Sequence, residues 1–189
     1  MDNILSLCLG VGLSAACGFR VFVPLLIVSL ASLSGHLHLA QGFQWLGTYP
    51  ALIAFAAATV LEIAAYYIPW LDNLLDSIAT PAAVVAGTVI TAAQVVDLSP
   101  FLKWSLALIA GGGAAGLIQG ATVLLRGASS VSTGGIANPI LATTELAGSL
   151  FTSLISLLLP ALAALAVLAL ALVLATRFLA RRAPRRAAA

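Results

Sequence analysis

Arg20 stands in Cys17-Gly18-Phe19-Arg20-Val21-Phe22-Val23-Pro24, inside an otherwise apolar run from Ile4 to Leu33. A guanidinium in such a run must be neutralised by a partner and face away from lipid, because an isolated charge in hydrocarbon costs several kcal/mol at least. Counted from the connector they share, Arg20 lies 14 residues before Ser34 and Glu62 lies 12 after Pro50. On helices both counts reach a depth of about 20 Å. Glu62 is therefore the expected partner of Arg20, as a clamp between helices or as a polar site for an anion or a proton relay. Arg126 and Glu145, which flank the linker Gly127 to Thr144, form a second expected pair. That linker is dense in hydroxyls and glycines and reads as a solvated loop, with a polar pore mouth as the alternative. Gln94 and Gln119 lie inside apolar segments, where they would line an interior path or bond across helices.

Other polar groups carry weaker chemistry. Asp72 and Asp76 are four residues apart in Trp70-Leu71-Asp72-Asn73-Leu74-Leu75-Asp76 and share one face of an amphipathic stretch closed by Pro81. This describes the acidic face of an interfacial helix. His36 and His38 have no third ligand beside them and read as connector residues, so no metal is indicated. Cys8 and Cys17 are nine residues apart in one apolar segment, beyond disulfide reach on a helix. Hydrolase and phosphate-loop motifs are absent, and no cofactor is implied. The best enzymatic alternative is an intramembrane lipid-phosphate enzyme built on acid–arginine pairs.

The elements that position these groups follow from composition. Of 189 residues, 62% are hydrophobic and 7% charged, too few polar side chains to cover a soluble fold of this size. The chain is thus expected to be an all-α polytopic membrane bundle. Against a ruler of about 20 apolar residues per crossing, five spans result: Ile4 to Ser34, Pro50 to Ile68, Pro81 to Val96, Phe101 to Leu125 and Ser149 to Ala175. The first is too long for one straight crossing and should tilt, break or partly re-enter, with Gly10, Gly12, Gly18 and Pro24 as the places for a break. The fifth, with its lead-in from Ile140, should break at Pro160. Residues 1–176 form the single membrane domain and 177–189 a basic tail. Five of the eight basic residues, Arg177, Arg181, Arg182, Arg185 and Arg186, lie in that tail. They direct the C-terminus to the cytoplasm. Trp45, Tyr49, Tyr66, Tyr67, Trp70 and Trp104 suit interfacial belts. No basic face suggests nucleic acid as a partner.

Two rows of small residues, Gly10, Ser14, Gly18 and Gly112, Gly116, Gly120, each lie on one helical face and allow a neighbouring backbone to approach closely. Packing alone accounts for them. The alternative is an internal duplication of residues 5–35 in 104–134, whose halves would be antiparallel.

The stretches Gly18-Phe19-Arg20, Tyr66-Tyr67-Ile68-Pro69-Trp70-Leu71-Asp72, Thr80-Pro81-Ala82-Ala83 and Gly111-Gly112-Gly113-Ala114-Ala115-Gly116 resemble a family of bacterial multi-span membrane proteins, domain of unknown function 4126. The resemblance covers nearly all the chain up to the fifth span. It implies a small helical protein of the bacterial inner membrane and carries no substrate or catalytic residues. The combined expectation is a transporter or channel for an ion or small polar solute, with membrane lipids and further copies of itself as partners. A non-transporting scaffold with structural ion pairs is the alternative.

Overall fold

The computed structural model describes residues 3–96 and 98–182, and the side chains of all of these except Pro69, Trp70, Asp72, Asn73 and residues 178–182. The expectations for Arg185 and Arg186, and for the side chains of Trp70, Asp72, Arg181 and Arg182, lie outside the described residues. The described fold is all-α. Its helices are α1 (Asn3–Cys17), α2 (Phe22–Leu33), α3 (Tyr49–Tyr66), α4 (Pro69–Gln94), α5 (Pro100–Thr133), α6 (Asn138–Leu158) and α7 (Pro160–Arg182). Five have the length and hydropathy of membrane spans: Tyr49–Tyr66, Leu74–Gln94, Pro100–Thr133, Asn138–Leu158 and Pro160–Arg177.

The starts of these helices are written locally. Thr48 caps α3 by accepting the Ala51 N–H, and Ser99 caps α5 by accepting the Leu102 N–H, each followed directly or one residue on by proline. Gly134, at φ 64°, ends α5 in the left-handed conformation.

Five long helices were expected, but they are not the expected five. The first apolar segment is not one long helix. It breaks at Gly18 to Val21 into two helices of 15 and 12 residues. The longer reaches about 22 Å, short of a hydrocarbon core of about 30 Å. α1 runs antiparallel to α4, since Gly10 lies against Thr91 and the Ser14 hydroxyl donates to the Gly87 carbonyl at 2.6 Å. α2 returns alongside α4. Its first residues share a groove with Ile78 to Val89, and the connector beyond it bonds the far end of α4, Ala40 N–H to the Ala93 carbonyl at 2.8 Å. The pair is a helical hairpin with its tip at Arg20.

At the other end, the single fifth span is two helices. Ser149 donates to the Ala16 carbonyl while Ser156 lies against Gly12, so α6 runs antiparallel to α1. Ala163 is also against Gly12, and Val167 packs beside Ala15, so α7 has turned back. The reversal occurs at Leu159 (φ −137°, ψ 67°), just before Pro160.

Three more boundaries move. Pro81 does not close an interfacial helix but sits inside α4, giving up one helical hydrogen bond. The linker 127–144 is mostly helix, the end of α5 and the start of α6, rather than a solvated loop. The helix of α7 continues to Arg182, past the expected start of the tail at 177.

α1 runs through the middle of the bundle, against α4, α5, α6 and α7. Its glycine row explains why. A Cβ on Gly18 would sit 2.6 Å from Ile118 Cβ and 2.9 Å from Gln119 N, and one on Gly10 would sit 2.9 Å from Thr91 Cα. In the second row, a Cβ on Gly112 would meet Thr88 Oγ1 at 2.6 Å and one on Gly116 would meet Val84 at 3.2 Å, whereas one on Gly120 would meet nothing within 4 Å. The rows are used inside the chain, with Gly120 as the exception. Gly18 against Ala115 to Gln119 and Ser14 beside Gly87, itself against Gly111, make α1 and α5 parallel. The antiparallel relation expected of a duplicated pair is therefore not present at these helices. A π-helical turn at Ala107–Gly112 widens α5 where it meets α4.

Candidate functional site

The hairpin tip, the end of α3, the start of α4, the last third of α5 and the start of α6 converge at one end of the bundle. They bring together Arg20, Glu62, Tyr66, Asp76, Arg126 and Glu145. Arg20 and Arg126 are 2% and 3% exposed, and Glu62 and Glu145 are 8% and 7% exposed.

The expected pair Arg126–Glu145 is present. Arg126 Nε donates to Glu145 Oε1 at 2.9 Å, and its Nη2 donates to Oε2, the two-point fork that suits a guanidinium and a carboxylate. Helix geometry supports this. Both residues lie two turns from their helix ends, which a short turn joins.

The expected pair Arg20–Glu62 is not formed as such. The two residues are level, as counted, but Arg20 Nη2 donates to the Ala142 carbonyl at 2.8 Å and lies 3.5 Å from Glu145 Oε2. The Glu62 oxygens accept main-chain N–H groups instead: Oε1 from Val21 at 2.8 Å and Oε2 from Phe22 at 3.1 Å. The physical reason is the break before α2. It leaves the first N–H groups of that helix without intrahelical acceptors, and at membrane depth they must find one inside the protein. A carboxylate is the best available, since it also meets the positive end of the helix dipole.

Asp76 leaves the expected acidic face. With α4 continuous through Pro81, its Oδ1 lies 3.5 Å from Arg126 Nη1 and accepts from the Tyr66 hydroxyl at 3.5 Å. Tyr66 likewise leaves the expected interfacial belt and is 4% exposed. Arg20 and Arg126 both place their guanidinium carbons over its ring, 3.8 and 4.0 Å from the centroid. One aromatic face system thus carries two cations that the carboxylates then share. The signal for Tyr66 was its position, one turn after Glu62 on the same face of α3. Trp45, Tyr49, Tyr67 and Trp104 are partly exposed, consistent with belts.

The polar residues expected inside spans divide. Gln119 is 2% exposed, on the face of α5 that meets Gly18. Gln94 is 3% exposed at the opposite end of α4, away from the cluster. A row the sequence reading did not single out, Ser149, Ser153 and Ser156 on α6, is fully buried. Its spacing from Glu145 is helical, and it lets α6 approach the small residues of α1.

Long apolar helices enclosing a buried charge cluster define a multi-pass membrane protein whose ionisable groups are gathered at one end of the bundle. The chain belongs to the family described as Domain of unknown function (DUF4126), whose model matches residues 7–181. No curated protein and no solved structure matches it.

Proposed function

We propose that the protein moves a small polar solute or an ion across a bacterial cytoplasmic membrane, with the charge cluster at the hairpin tip as its centre. The observation that carries this is the tip itself. A broken helix ends at membrane depth on two arginines and three carboxylates, and the N-terminus of α2 points at one of those carboxylates. Transporters recurrently build sites from discontinuous helices whose N-termini meet an anionic group of the substrate, a place that Glu62 takes here. Intramembrane ionisable residues are otherwise expensive to retain. The basic residues from Arg177 onward follow the end of α7, which lies on the cluster side, so that side is read as cytoplasmic.

The scaffold reading has its own support: the Arg126–Glu145 fork is closed and both guanidiniums are buried. Solute flux in proteoliposomes separates the two. Transport predicts that Arg20→Lys and Glu62→Gln fold as the parent does and change flux. Unfolding of these variants, with no flux for the parent across ions and small polar solutes, favours the scaffold. Turnover of a phospholipid or polyprenyl phosphate by the purified protein would replace both readings.

A further inference from the structure

The three carboxylates of the cluster are not equivalent. Glu145 is held by the Arg126 fork and lies beside Arg20, and Asp76 lies beside Arg126. Among the described residues, no arginine nitrogen is at ion-pair distance from Glu62, whose two oxygens each take one main-chain N–H of the hairpin. We infer that Glu62 is a proton-binding site and that a proton there releases the α1–α2 tip from α3. This deepens the transport reading by naming H⁺ as the coupling ion, and it rests on that reading for its purpose.

The argument is one of donors and acceptors. An ionised carboxylate only accepts, and both of its oxygens are used. A proton from water adding to one oxygen, the longer-bonded Oε2 in the first instance, turns that oxygen into a donor facing the Phe22 N–H. One contact is lost, and the other keeps a neutral acceptor in place of a charged one, roughly halving its strength. Nothing else is made or broken in the step. Protonation of Asp76 or Glu145 would instead strip charge from a guanidinium contact, the costlier change in a buried setting.

The groups facing Glu62 are Cys17 from α1, Arg20 at the tip, Tyr66 on its own helix and Arg126 from α5. α2 contributes no titratable side chain. α4 and α6 bring Asp76 and Glu145, each engaged with an arginine.

The tip also has space to enter. Val21, Phe22 and Leu25 form one wall of an apolar groove of about 490 Å³ whose other walls are α3 and α4, including Phe55, Ile78 and Val85. This groove lies directly beside the N-terminus of α2, whose Val21 and Leu25 also pack into the apolar core.

Cys17, at 0% exposure on the last turn of α1, is a native reporter of that release. The full-length Cys8→Ser protein in phospholipid vesicles is treated with N-ethylmaleimide over a pH series, and each rate is divided by that of the same protein denatured at the same pH. Release predicts normalised labelling that rises as pH falls, by up to about tenfold per pH unit, the limit for one linked proton. Glu62→Gln should label fast at every pH, and Asp76→Asn should keep the pH dependence. Flat labelling in the parent, or a dependence that survives Glu62→Gln, overturns the inference. Where Glu62→Gln does not fold, Glu62→Asp keeps the acid on a shorter arm and must move the labelling midpoint; an unmoved midpoint overturns it equally. Labelling that follows pH without any solute flux keeps the proton site and removes transport, and flux with flat labelling does the reverse.

Discussion

Glu145 is a carboxylate that both arginines approach, and Glu145→Gln tests its contribution with almost no change of shape. The amide oxygen can still accept from Arg126 Nε, now at 2.9 Å. The amide NH2 that replaces Oε2 is a donor, so the second arm of the fork and the 3.5 Å approach to Arg20 Nη2 lose their acceptor as well as its charge. Removing one partner of a buried ion pair costs about 3–5 kcal/mol, because the remaining charge stays buried. Asp76, 3.5 Å from Arg126 Nη1, compensates in part, which places the expectation near about 3 kcal/mol. A loss of that size lowers the folded-to-unfolded ratio by roughly a hundredfold. It is read by reversible unfolding in mixed micelles with increasing SDS, following helicity. The double variant Arg126→Gln/Glu145→Gln should recover part of the loss, with a coupling of about 0.5–3 kcal/mol in the double-mutant cycle. A Glu145→Gln protein within about 0.5 kcal/mol of the parent, the range of ordinary surface changes, would refute the reasoning. The guanidiniums would then be stabilised by water or lipid headgroups and not by this carboxylate.

Alanine at two glycines of α1 and α5 should have opposite signs in the same assay. Gly18→Ala places a Cβ 2.6 Å from Ile118 and 2.9 Å from the Gln119 nitrogen, and should cost about 1–3 kcal/mol, whereas Gly120→Ala meets nothing within 4 Å and should stabilise by up to about 1 kcal/mol. Tyr66→Phe keeps the ring under both guanidiniums and gives up only a 3.5 Å contact with Asp76, so its unfolding midpoint should stay close to the parent's. Tyr66→Leu loses both ring contacts, worth about 0.5–2 kcal/mol each, and should fall clearly below Tyr66→Phe. In a protein without native cysteines, His36→Cys and Ser132→Cys, both exposed, should label with an impermeant thiol reagent from opposite sides of the membrane. Labelling from one side would exclude three crossings by α3, α4 and α5 between them.

Much of the site was readable because charge in an apolar chain leaves few choices. Arg126 and Glu145 flank a polar stretch between two long apolar segments, and they pair. Arg20 and Glu62 were placed level by residue counting, and they are. Their relation was not readable. The competitors for Glu62 are the Val21 and Phe22 N–H groups, which every sequence contains at every position and which matter only where a helix begins. Asp76 was misplaced for a related reason: Pro81 looked like a stop, but tertiary packing carries α4 through it and turns Asp76 toward Arg126.

Composition and hydropathy alone determined that the chain is a helical membrane bundle, that its few inner charges must meet one another, and that the first and last long apolar segments cannot each be one straight helix. These follow from the cost of polar groups in hydrocarbon, which depends on residue type and run length. Only the tertiary structure decided that the first segment doubles back as a hairpin, that the last reverses at Leu159, and that Glu145 rather than Glu62 serves the arginines. Those outcomes depend on which main-chain donors and small-residue faces come together, a property of neighbours in space that local sequence does not specify.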